Sequence, residues 1–124
     1  MADRPDVPFD IEERTYQFAL RIIRLCLALD KSPGVKRTLS NQLLRSGTSV
    51  GANVEEARAA YSRAEFCSKM SIALKESRET RYWLRLLLDS ELVEGTLLDP
   101  LLSEATEIMK EIGAITAKAR RKSS

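Results

Sequence analysis

The sequence predicts an all-α fold, an antiparallel up-down-up-down four-helix bundle, and three observations predict it. Apolar residues recur at alternating steps of three and four, the spacing that lays one face of a helix on a core. Breaks containing Ser, Pro and Gly divide this pattern into four long segments. No stretch alternates apolar and polar residues as a half-buried strand does. The chain has 124 residues, 44% apolar and 31% charged, which suits one core, so residues 1–124 are expected to be a single domain.

Residues 1–9 contain Pro5 and Pro8 and no periodicity, and they read as a flexible lead-in. Asp10 offers an N-cap, with Glu13 completing a capping box, so the first helix is expected over residues 11–30. Ser32, Pro33 and Gly34 stop it. The second helix is expected over residues 36–61. Its Gly47 and Gly51 each cost about 1 kcal/mol relative to alanine. Ser46, Ser49, Ala52, Ala57 and Ala60 are small as well, so these positions mark a close helix–helix contact.

Ser62 and Glu65 form a second capping box and open the third helix, expected to run to about residue 92 and to end near Gly95. Its seam is Phe66, Met70, Ala73, Ser77, Thr80, Leu84 and Leu87. Asp99 and Pro100 supply an N-cap and a first-position proline for the fourth helix. That helix carries Leu101, Ala105, Ile108, Ile112, Ile115 and Ala119, and should fade near residue 119 into a frayed basic tail over 118–124. Connections this short force neighbouring helices to run antiparallel.

On a helical wheel the first helix has two apolar stripes. Phe18, Ile22, Leu25, Cys26 and Leu29 form one; Tyr16, Leu20, Ile23 and Leu27 form the other. Together they span about 220°, whereas a core-facing stripe needs little more than about 100°. A single four-helix core cannot bury both, so Tyr16, Leu20, Ile23 and Leu27 are a candidate interface between copies of the chain. The remaining face holds Arg14, Gln17, Arg21 and Arg24, a basic ridge that by itself reads first as an ordinary solvated face.

Net charge is only +2, and four of the 20 basic residues (Lys118, Arg120, Arg121 and Lys122) lie in the tail. The rest of the chain has 16 basic against 18 acidic residues, which is not the uniformly basic surface of a dedicated nucleic-acid binder. There is no transmembrane run and no signal-peptide pattern, so a cytoplasmic location without membrane contact is expected. Cys26 and Cys67 are then reduced, small apolar fillers. The chain has no histidine, which removes Ser-His and Cys-His catalysis and Glu-x-x-His di-iron centres. Zinc-type cysteine pairs and phosphate-binding glycine loops are missing as well. Neither an enzyme activity nor a cofactor is expected.

Polar residues crowd one edge of helix 2 (Gln42, Ser46, Ser49, Asn53 and Glu56) and the seam of helix 3 (Ser77 and Thr80), with Glu76, Glu79 and Trp83 on one flank. Arg78, Arg81 and Arg85 line the other flank. Buried polar groups cost about 1–3 kcal/mol each unless paired, so Gln42, Ser46, Ser49, Asn53, Glu56, Ser77, Glu79 and Thr80 are expected to share an interhelical network. A carboxylate cation site from Glu56, Glu76 and Glu79 is the alternative.

Two blocks also carry a family resemblance. The stretch Gln42-Leu43-Leu44-Arg45-Ser46-Gly47-Thr48-Ser49-Val50-Gly51-Ala52-Asn53-Val54-Glu55-Glu56-Ala57 and the stretch Ala73-Leu74-Lys75-Glu76-Ser77-Arg78-Glu79-Thr80-Arg81-Tyr82-Trp83-Leu84 resemble the signatures of the 23S ribosomal RNA intervening-sequence proteins, as does Phe18-Ala19. The resemblance runs from Phe9 to about Ile115. It implies a left-handed bundle that assembles into a ring, a homopentamer, with no established enzyme activity. A related group, the accessory variability proteins of diversity-generating retroelements, forms basic pentameric barrels that bind nucleic acid beside a reverse transcriptase; this chain departs from it in its acidic body. Three functions stay open at this stage. One is an oligomer touching RNA or DNA through Arg14, Arg21, Arg24, Lys118, Arg120, Arg121 and Lys122; the others are a scaffold for a protein partner and a carboxylate-metal enzyme.

Overall fold

The computed structural model describes residues 7–123. It contains α1 (Phe9–Leu29), α2 (Val35–Arg58), α3 (Arg63–Asp89) and α4 (Gly95–Ser123). Each helix packs against its two neighbours in a closed cycle, and α1 and α3 stand on the diagonal. The core forms where the four inward stripes meet. Every residue of the expected α3 seam is buried, from Phe66 to Leu87. On α4 the seam departs at one step, because Thr116 is buried and Ile115 is only half-buried.

The glycines of α2 set its distance from α1. A methyl group at Gly47 would stand 2.9 Å from Ile22 Cγ2, and one at Gly51 would stand 3.2–3.3 Å from Thr15 Oγ1 and backbone. The helices therefore approach to a separation that only glycine allows. Thr15 can be buried there because its hydroxyl donates back to the carbonyls of Ile11 and Glu12, at 2.9 and 3.0 Å. Gly34 is the second conformational glycine. Its φ of 90° turns the chain from α1 into α2, and Arg37 closes this turn on the Asp30 carbonyl at 2.8 and 3.1 Å.

Several boundaries differ from the sequence expectation. Helix α1 begins at Phe9 with Pro8 as N-cap, and the Pro8 carbonyl accepts from the amides of Ile11 and Glu12. Asp10 is therefore not a cap; it lies in the first turn, beside the positive end of the helix dipole. The expected lead-in is shortened too, since Val7 is buried against the core, and residues 1–6 lie outside the described ones. Helix α2 stops at Arg58 rather than residue 61. Ser62 does cap α3 by accepting from the Glu65 amide at 3.1 Å, while the Glu65 carboxylate accepts from Tyr61, one residue earlier than a reciprocal box requires.

Helix α3 ends at Asp89, and the left-handed residue after it is Glu91 at φ 61°, not Gly95. Gly95 instead opens α4, which places Pro100 inside the helix and removes Asp99 as a cap. The physical reason is Leu98, which is fully buried. Burying a leucine gives about 1.5–3 kcal/mol, which offsets most of the roughly 3 kcal/mol that a proline costs inside a helix. At its other end α4 continues to Ser123 instead of fading at residue 119. Ala119 is buried, Arg63 donates to its carbonyl at 3.2 Å, and Arg120 donates to Ser71 on α3. Among the described residues, no helix is long and apolar enough to cross a membrane.

Candidate interaction surfaces

Helix α1 buries one apolar stripe and leaves the other outside. Phe18, Ile22, Cys26 and Leu29 are buried, whereas Tyr16 is 60% exposed, Leu27 65% and Ile23 37%, with Leu20 half-buried. This outer stripe forms one wall of a groove of about 550 Å³ between α1 and α2. The hollow exists because Ala19, Gly51 and Ala52 have no side chains long enough to fill it. A smaller pocket of about 160 Å³ shares Ile23 and extends along Leu27 and Leu44. The lining of the larger groove includes Glu12, Glu13 and Glu55 and no cation.

The basic ridge divides. Arg14 faces α4, where its guanidinium donates to both Glu104 oxygens at 2.6 and 2.7 Å and to Glu111 at 3.3 Å. The Glu104 hydrogen bond, more than any other influence, holds the Arg14 proton above the usual guanidinium range. Arg14 thus ties α1 to α4, its guanidinium already engaged by two carboxylates. Arg21 and Arg24 make no ion pair among the described residues, and Arg24 is exposed. Lys118 is also exposed, Arg120 is bonded to Ser71, and Arg121 lies on the same final turns; the side chain of Lys122 lies outside the described ones.

The polar residues of α2 and α3 do not make one continuous network. A single buried bond crosses between the helices, from Thr80 Oγ1 to Ser46 Oγ at 3.0 Å, and Thr80 also stands 2.8 Å from the Glu76 carbonyl. Ser49, Asn53 and Ser77 bond instead to carbonyls of their own helices, and Glu56 approaches only Lys69, at 4.0 Å. The reason is geometric: a short hydroxyl or amide on a helix reaches its own preceding turn more readily than the next helix. Every buried side-chain polar atom among the described residues has a partner.

A residue that sequence reasoning missed organises the exposed edge. Arg45 reaches Glu76 at 3.2 Å, pairs with Glu79, and stands 3.4 Å from Gln42 Oε1. Glu79 in turn accepts from Trp83 Nε1 at 3.1 Å. The available signal was the one-turn spacing of Gln42 and Arg45 opposite two glutamates. Glu76 and Glu79 converge on this guanidinium while Glu56 points elsewhere, so the three carboxylates do not assemble around a cation. Among the described residues no cluster of three metal-ligating side chains occurs. Cys26 is buried with its thiol 3.5 Å from the Ser40 carbonyl, and burial pushes its pKa up.

The glycine-lined α1–α2 contact and the Arg45 cluster both lie within a longer match. The family model of the 23S rRNA-intervening sequence proteins matches residues 8–114. The chain belongs to that family. A crystal structure of a protein of unknown function from the S23 ribosomal protein family of Bacteroides thetaiotaomicron is similar at 41% identity and a TM-score of 0.79, covering 86% of this chain and 97% of that one. No curated protein matches the chain. As a member of the intervening-sequence protein family the chain keeps both motif blocks on facing helices, where they form the α2–α3 half of the bundle.

Proposed function

We propose that the protein is a non-catalytic, self-assembling binding module whose copies close into a cytoplasmic ring. The family resemblance supports five copies as the size of that ring. The ring gathers weak electrostatic contacts to RNA or DNA. One observation carries this: Tyr16, Ile23 and Leu27 remain exposed in line along α1 beside a groove. A lone subunit rarely leaves such a continuous apolar strip in water, and a second copy removes it from solvent. Of the cations the sequence singles out, each subunit then contributes Arg21, Arg24, Lys118 and the end of α4. Joining such sets raises overall affinity by about 10²–10⁴ when they engage together.

Light scattering tests the assembly. The expected mass is a multiple of the 13.9 kDa subunit. Tyr16→Lys with Leu27→Lys should reduce it to one subunit with helicity unchanged. Retention of labelled RNA should fall steeply with salt, as phosphate neutralisation requires. It should fall again in the dissociated variant. A wild-type protein that runs as a single subunit at micromolar concentration, or assembles but retains no RNA at low salt, would overturn the proposal.

A further inference from the structure

A closed ring with one kind of interface needs two different surfaces on each subunit, because head-to-tail contacts are heterologous. The α1–α2 groove is the first. Its own chemistry describes the second: an apolar projection to fill it, and cations to meet its rim. Glu12 already pairs with Arg58 at 2.8 Å. Glu13 holds only the amide of Gln17, and Glu55 is exposed and makes no ion pair among the described residues. Two carboxylates beside an apolar hollow are thus left to a partner.

The matching surface is on α3. Lys75, Arg78, Tyr82 and Arg85 follow one another at steps of three, four and three, all exposed, and the three cations make no ion pair among the described residues. At about 1.5 Å per residue this ridge is roughly 15 Å long. Tyr82, 54% exposed, stands in its middle. Its ring lies edge-on to Trp83, with centroids 5.2 Å apart at 70°, and Trp83 is fixed in turn by its bond to Glu79. A rigid exposed aromatic between arginines is the composition that dominates protein interfaces, since little side-chain freedom is lost when it docks. The other exposed apolar residues outside the groove fit less well: Leu27 and Leu44 line the adjoining pocket on the same α1–α2 side, Val35, Tyr61 and Leu97 stand singly at helix ends, and Ile72 lies on another flank of α3 without such a series.

Position agrees with chemistry. Since α3 is diagonal to α1, ridge and groove lie on different sides of the bundle, and one subunit can use both at once. We infer that the α1–α2 groove of one copy receives the α3 ridge of the next, Tyr82 entering beside Tyr16, Leu20 and Ile23 while Arg78 and Arg85 face Glu13 and Glu55. This rests on the self-assembly proposed above, and names the surface that completes it.

Charge reversal with light scattering tests the pairing. Glu13→Arg with Glu55→Arg, and separately Arg78→Glu with Arg85→Glu, should each lower the mass to 13.9 kDa at micromolar concentration. The fourfold variant should recover the assembled mass. Tyr82→Ser, which alters no charge, should raise the dissociation concentration at least tenfold. Circular dichroism checks that each variant stays helical. If wild type assembles and Arg78→Glu with Arg85→Glu assembles equally well, the ridge is not the mate although self-assembly stands. The same holds if that variant keeps its mass but loses RNA, which assigns the ridge to nucleic acid. A fourfold variant that stays dissociated would overturn the carboxylate–arginine pairing. A wild type that is itself a single subunit ends both proposals.

Discussion

Replacing Gly47 by alanine sets two effects of known size against each other. Alanine favours the helix by about 1 kcal/mol. Its methyl group, however, would stand 2.9 Å from Ile22 Cγ2, 3.1 Å from Cγ1 and 3.4 Å from Cβ. Ile22 is fully buried and branched at Cβ, so rotation exchanges one close carbon for another. The helices must separate, and separation also loosens Gly51 from Thr15 one turn away. Overpacking of this kind costs about 1–3 kcal/mol, so the net expectation is a loss of about 1 kcal/mol and a Tm lower by about 5 °C. Gly113→Ala is the control. Its methyl group would meet only Leu74 Cδ1, at 3.7 Å, an ordinary contact. That variant should gain about 0.5–1 kcal/mol. Thermal melts followed by circular dichroism must use one protein concentration, because assembly makes Tm concentration-dependent. If Gly47→Ala melts at or above wild type, the close α1–α2 contact is refuted.

Thr80→Val removes the one buried bond between α2 and α3 and should cost about 1–2 kcal/mol in urea unfolding, with Ser46→Ala less than additive on top of it. Arg14→Gln should lower stability by about 0.5–1 kcal/mol, more at low salt than at high, since its pairs with Glu104 and Glu111 are only partly buried. It should leave RNA retention unchanged, whereas Arg21→Gln with Arg24→Gln should weaken retention and shallow its salt slope. The raised pKa of Cys26 means that the folded chain holds the thiol proton to higher pH than the unfolded chain. Its contribution is complete below the ordinary thiol range and is lost as pH climbs through the raised value. Urea midpoints should therefore fall on the alkaline side, and Cys26→Ala should flatten that limb.

The core was legible wherever apolar residues alone set the period, as on α3. Threonine hid the rest. Thr15 and Thr116 are fully buried because their hydroxyls close on carbonyls three or four residues back, at 2.9 and 2.7 Å, which leaves them outwardly apolar. Apolar spacing alone therefore points to Ile115, where the fold buries Thr116. Boundaries failed where tertiary burial outweighed local signals: Leu98 carried α4 past Pro100, and Ala119 carried its end beyond residue 119. On the surfaces, the double stripe of α1 was visible in the spacing. The engagement of Arg14 with α4 was not, because its two glutamates lie 90 and 97 residues further along the chain.

Arg14 gives the bundle an uneven perimeter. Where α2 meets α1, backbone nearly touches side chain and nothing can slide; where α4 meets α1, one guanidinium spans two carboxylates a couple of turns apart. The first edge rests mainly on this close packing, with one exposed Glu12–Arg58 pair beside it, and the second leans more on charge. Concentrated salt should thus ease the grip of the last helix on the first by about 0.5–1 kcal/mol, while the shared apolar core keeps all four helices together.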